Sequence, residues 1–192
     1  MNLGGLDFKE ILGQIAGIAA LLFLFLTYFK KDKTSITRTM MISNAFYIAH
    51  YFLIGAFSGS YALIVAILRD SYIYLREKHH KKHRHRVVYN NVLVFISIFA
   101  IYISLALVNI SEPLNTLPFI AGAFYFSFEW FGDKFFVKLA SGTASIPWLI
   151  YDIVNFSIPG AVTDTLSIIA CILGISKDQR KRHPMKKRIK KV

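Results

Sequence analysis

Few residues of this chain are equipped for chemistry in an apolar setting, and most of them fall in two short windows. Tyr47, His50 and Tyr51 occupy positions i, i+3 and i+4, as do Trp148, Tyr151 and Asp152, so each set makes one face of a helix. Asn44 precedes the first set and Asn155 follows the second. Arg69 stands alone in another apolar stretch. Aromatic faces carrying a few polar groups suit the stacking of a flat or ring-shaped metabolite. The candidate substrate-binding residues are therefore Asn44, Tyr47, His50, Arg69, Trp148, Tyr151, Asp152 and Asn155. Catalysis has less to work with. There is no nucleophile elbow, no phosphate-cradling glycine loop, no His-Glu-x-x-His helix and no pair of metal carboxylates. Ser141-Gly142-Thr143 has no partnered base, so the chain is not expected to be an enzyme, and no catalytic residue, metal or cofactor is assigned.

The elements that must position these residues are apolar and long. The chain has 192 residues, 55% of them hydrophobic and 15% aromatic. A bilayer core needs about 20 mostly apolar residues per helix. Seven stretches qualify, at 10–29, 37–56, 59–75, 87–108, 116–132, 139–157 and 160–175. The first follows Asp7, Lys9 and Glu10 and ends in Tyr28, Phe29 and lysines, so it reads as a membrane helix and not as a removed signal peptide. Cys171 is the one cysteine and cannot form an internal disulfide.

The net charge of +12 is unevenly placed. Residues 76–86 (REKHHKKHRHR) hold six Lys/Arg and the segment 177–192 holds nine. Short loops rich in Lys/Arg stay in the cytoplasm. With seven spans, those two segments fall on one side together with Lys30, Lys31, Lys33, Arg38, Lys134 and Lys138. The other side carries only Lys9, and Arg69 lies within a span. This predicts an N-terminus outside and a C-terminus in the cytoplasm. Interleaved Lys and Arg oppose a metal at His79, His80, His83 and His85, so both basic segments are read as topology signals that contact anionic lipid head groups. No motif accompanies them that would read nucleic acid.

The two thirds of the chain resemble each other. Ile15-Ala16-Gly17 opens span 1 and Ile120-Ala121-Gly122 sits at the same point of span 5. HYFLIGAFSG, from His50 to Gly59, matches YDIVNFSIPG, from Tyr151 to Gly160. The expected fold is an all-α membrane protein of seven transmembrane helices, two parallel three-helix repeats joined by a linker helix. A single transmembrane domain would cover 1–176, with repeat one at about 10–76, the linker at about 87–108 and repeat two at about 116–176. A basic cytoplasmic tail would follow at 177–192. Gly59 and Gly160 are expected to permit a tight outer turn or a close helix approach. In transporters of this plan the substrate site lies between the repeats.

Intramembrane charges are costly and therefore mark candidate sites. Arg69 falls near mid-bilayer and fits structural pairing and substrate contact equally well. Asp70 is beside it, but adjacent helix positions point about 100° apart, so the two are not expected to pair. Asp152, Trp148 and His50 hold matched positions and favour a cavity. Asp164, Glu129 and Trp130 read as structural or interfacial.

On SNAFYIAHYFLIGAFSGSYALIVAILRD (43–70) and SIPWLIYDIVNFSIPGAVTDTLSIIACILGI (145–175), the chain resembles the YgjV-like family of bacterial inner-membrane proteins. The resemblance runs from about Ile11 to Ile175 and implies a small multi-pass protein of the inner membrane. More distantly, the 3+1+3 plan is similar to PnuC-type vitamin transporters and SWEET sugar transporters. That likeness implies a facilitator of a small polar metabolite, such as a vitamin, nucleoside or sugar, working by alternating access between the two triplets. The competing expectation is a non-transporting membrane module that binds anionic lipid or a protein partner through its basic segments.

Overall fold

A computed structural model describes residues 7–27, 29–30, 33–80, 88–131 and 134–189. Among them are seven α-helices and no strand: α1 (Phe8–Thr27), α2 (Lys33–Leu53), α3 (Phe57–His80), α4 (Val88–Val108), α5 (Pro113–Phe131), α6 (Lys134–Val154) and α7 (Ile158–Ile189). Their starts follow local rules. Asp7 precedes α1, where its carbonyl accepts from Ile11 N–H, and Pro113 takes the first position of α5, where a missing N–H is harmless. The seven expected stretches correspond one to one with these helices. The largest departure is α7, whose backbone continues to Ile189 through most of the segment expected to be a tail. The histidine-rich run beyond His80 lies outside the described residues, so its metal and lipid readings stay as expectations.

Packing joins neighbours in a closed order. α1 touches α2 and α7, α2 touches α3, α3 touches α5, α5 touches α6, and α6 touches α7. α4 lies outside that ring, against α3 and α5. Small residues set the close approaches. Gly17 leaves room for Pro159 and His50, and Ser43 Oγ, on α2, donates across to the Ala20 carbonyl of α1 at 2.7 Å. Such contacts replace the hydrophobic drive that is absent between helices in lipid.

The polarity of the fold is inverted. His50 and Asp152 are 0% exposed and Arg69 4%, while Leu93 is 65% exposed and Ile172 59%. Soluble proteins bury large aliphatic side chains and leave charge outside. By length and apolarity together, α1 alone among the described residues is suited to cross a membrane unaided; Val92–Val108 and Ile158–Leu173 are apolar over shorter lengths. Buried polar residues such as His50, Arg69, Asp70 and Asp152 interrupt the apolar runs of α2, α3 and α6. The described architecture is thus all-helical and compatible with a membrane protein.

Two helix ends share one hydrogen-bond pattern. After α2, Ala56 N–H donates to the Tyr51 carbonyl and Gly55 N–H to that of Phe52. After α6, Ser157 N–H donates to Asp152 and Phe156 N–H to Ile153 in the same way. Both are Schellman caps, which need a left-handed residue at the second turn position. Gly55 supplies it with φ of 79°, and Phe156 with φ of 53°. The turns expected at Gly59 and Gly160 are thus made four residues earlier, and those two glycines serve close packing inside α3 and α7. A side chain in the left-handed region costs about 1–2 kcal/mol. Phe156→Gly is therefore expected to stabilise the folded protein by about 1 kcal/mol, because the ring is exposed and its loss removes little packing. Gly55→Ala should destabilise by a similar amount. Unfolding of both variants in detergent checks this, and a loss of stability in Phe156→Gly would mean the ring has a role the turn does not reveal.

Candidate functional site

His50 is wholly buried, with its two ring nitrogens engaged by different helices. Nδ1 lies 2.7 Å from the Gly13 carbonyl of α1, which only accepts, so Nδ1 carries the proton. Nε2 then accepts from Ser157 Oγ at 2.8 Å. Ser157 is the residue before α7, so an α2 side chain secures the start of α7 and ties it to α1. Tyr151 does the matching job on α6. Its hydroxyl accepts from Gly59 N–H at 2.9 Å, in the first turn of α3. Tyr151 thus serves one of the first backbone N–H groups of α3, which have no intrahelical partner, while His50 fixes the hydroxyl of the residue that leads into α7. Neither lines either of the central cavities described next.

The i and i+4 members of each window point elsewhere. Tyr47, Tyr51, Trp148 and Asp152 line a cavity of ≈ 170 Å³, with Asn44, Thr163 and Asp164 among its other walls. Tyr51 stacks on Trp148 with ring centroids 5.7 Å apart, and its hydroxyl donates to Asp152 Oδ1 at 2.6 Å. Tyr47 reaches Thr163 Oγ1 of α7 at 2.5 Å. The Asp152 and Asp164 carboxyls both border this cavity, close enough for their charges to interact. Asp152 Oδ2 is buried with no donor directed at it.

A second cavity of ≈ 140 Å³ shares Asn44, Leu63 and Trp148 with the first. Arg69, Tyr102, Tyr125 and Ser145 are among its walls. Arg69 NH2 lies 2.7 Å from Asp70 Oδ1, and its Nε 3.3 Å from Glu129 Oε2. The expectation that Arg69 and Asp70 do not pair is thereby corrected. The 100° separation holds at the backbone, but the long arginine side chain turns sideways and closes it. The guanidinium also lies over the Tyr125 ring, 5.0 Å from its centroid. Asn44 Nδ2 donates to the other Asp70 oxygen at 3.2 Å. Tyr102 comes from α4, is 1% exposed, and its hydroxyl has no hydrogen-bond partner.

Buried charge inside an apolar exterior is what lipid demands of a folded chain. The profile of the Imp-YgjV family, described as bacterial inner membrane protein, matches residues 11–182. The chain belongs to that family. No curated protein and no solved structure matched it. In this Imp-YgjV member the match begins in α1 and ends in α7, so it takes in both cavities.

Of the eight residues singled out from sequence, Asn44, Tyr47, Trp148 and Asp152 meet at the first cavity. Arg69 lines the second, while His50 and Tyr151 act at helix starts. Asn155 sits in the turn after α6, where its side chain donates to the Tyr151 carbonyl and lines a separate recess with Gln14 and Glu10. The sequence reading set Asp164 aside as structural or interfacial and did not weigh Tyr102, Tyr125 or Thr163. Asp164 lies one and a half turns into α7, and that depth was the available signal.

Proposed function

We propose that this Imp-YgjV protein is a multi-pass facilitator of a small polar metabolite, with its solute site in the joined cavities. The observation that carries the reading is that both cavities are walled by residues of α2 and α3 on one side and of α6 on the other, joined by α7 in the first cavity and by α5 in the second. Each also holds a buried polar atom without a partner, Tyr102 Oη in one and Asp152 Oδ2 in the other. Such atoms cost about 1–3 kcal/mol when left bare, and a bound solute or water relieves them.

The proposed plan is two parallel triplets, α1–α3 and α5–α7, with α4 as linker, N-terminus outside and C-terminus inside. Three observations support it. The ring of contacts maps onto itself when α1, α2 and α3 are exchanged for α5, α6 and α7. The left-handed turn residues Gly55 and Phe156 hold matched positions in the aligned segments. His50 and Tyr151, also matched, each secure the first turn of a helix in the opposite triplet. Rocking of one triplet against the other would open the site to alternate faces.

A thermal-stability screen of the full chain in detergent tests the site. The panel holds vitamins, nucleosides, sugars and amino acids, with Asp152→Asn and Trp148→Ala as controls. A ligand at 100 times its dissociation constant adds about 2.7 kcal/mol to the folded state. The expected result is a stabilising compound whose effect disappears in both variants. Stabilisation by anionic lipid alone, abolished on deletion of 177–192, would instead favour the non-transporting module.

A further inference from the structure

We infer that the Asp152–Asp164 end of the cavity is a cation subsite, and that the solute is a small protonated amine on an apolar or aromatic body. The inference rests on the transport reading and names its solute class. Asp152 is completely buried, and only its Oδ1 is served by a donor, from Tyr51. Around Oδ2 lie the Gly160 backbone, the Asp164 carboxyl and the Ser157 hydroxyl. The Ser157 hydroxyl already serves His50 Nε2, and Asp164 adds a second acidic group where a basic one would neutralise the first. Among the described residues no cationic side chain pairs with either aspartate, since Arg69 is already shared between Asp70 and Glu129. Two adjacent buried carboxyls without a counter-charge are relieved by a shared proton or by a positive occupant.

The walls select among cations. Tyr47, Tyr51 and Trp148 border the same space, and Tyr51 and Trp148 stack. Aromatic faces attract ammonium groups and the carbon attached to them, whereas a hard metal ion takes six or more oxygen ligands. At ≈ 170 Å³ the space exceeds one ion, and through Asn44, Leu63 and Trp148 it continues toward the second cavity. An ammonium offers three N–H donors. Asp152 Oδ2, Asp164 and Thr163 Oγ1 are acceptors on its rim, which leaves the carbon body on the rings.

The test titrates the full chain in detergent with 2-phenylethylamine, its neutral isostere 2-phenylethanol, anionic phenylacetate, and sodium chloride. The amine is expected to bind at least about tenfold more tightly than the alcohol, with that preference lost in Asp152→Asn and Asp164→Asn. Equal binding of amine and alcohol overturns the assignment, as does an amine preference that survives both substitutions. Stabilisation by sodium that excludes the amine overturns it too. If the variants do not fold, the amine-to-alcohol comparison in the native chain decides alone. Uptake of neutral solutes into proteoliposomes without amine binding sinks the cation subsite and leaves transport standing. Amine binding without uptake of any solute sinks transport and leaves the subsite.

Discussion

Arg69→Ala is expected to destabilise the folded protein by about 3–5 kcal/mol, the range for removing one partner of a buried ion pair. The guanidinium serves two carboxylates at once, Asp70 at 2.7 Å and Glu129 at 3.3 Å. Asp70 is 2% exposed, so its charge has no water to turn to once the arginine is gone. The Tyr125 face loses its cation in the same step. Most of the expected loss comes from the stranded charges and not from the pair's own attraction. Arg69→Met combined with Asp70→Asn and Glu129→Gln should therefore recover most of it. Arg69→Lys should recover less, because a lysine offers no fork to span two carboxylates. Denaturant unfolding in detergent reads all three. A loss below about 1 kcal/mol in Arg69→Ala would mean that the three charges do not form a buried unit.

Gly160→Val is the second large expected loss, at about 3 kcal/mol or more, the upper end for overpacking. A Cβ at this position would overlap the Asp152 carboxyl and the Ser157 hydroxyl, the latter at 2.5 Å. Neither can swing aside freely. Asp152 is held by Tyr51 and Ser157 by His50, so relieving the clash means breaking a buried hydrogen bond. Gly59→Val should also destabilise, since its Cβ would lie 3.0 Å from ring atoms of Tyr151 and Tyr51. Yield of folded protein and its thermal midpoint measure both. A Gly160→Val protein that folds with native stability would contradict the close seating of α7 on α6.

Much of the helical layout was legible because lipid-length apolar stretches are long and their breaks are charged or rich in turn residues. The seven helices follow the seven stretches with ends displaced by a few residues, except α7, which continues to Ile189 through the basic segment. The windows around Tyr47 and Trp148 were legible as helix faces from spacing alone. What spacing did not reveal was the split within each face. The i+3 residues His50 and Tyr151 sit about 60° to one side of i and turn toward the starts of neighbouring helices, while i and i+4 remain on the cavity. Asp164 was hidden for a related reason. Its depth suggested an interface, and only the packing of α6 against α7 brings it to Asp152. Tyr102 sits on α4, which reads as a plain apolar linker, and its role depends on how α4 lies against α3 and α5. Long-range placement of that kind leaves no local trace in the chain.

The most direct test of the proposed transport is solute uptake into proteoliposomes that contain the purified full chain. Uptake should exceed that of protein-free vesicles for at least one small polar solute, saturate with concentration, and fall to background in Trp148→Ala, which strips the wall shared by both cavities. Background uptake across vitamins, nucleosides, sugars, amino acids and amines, from protein shown to be folded, would contradict it.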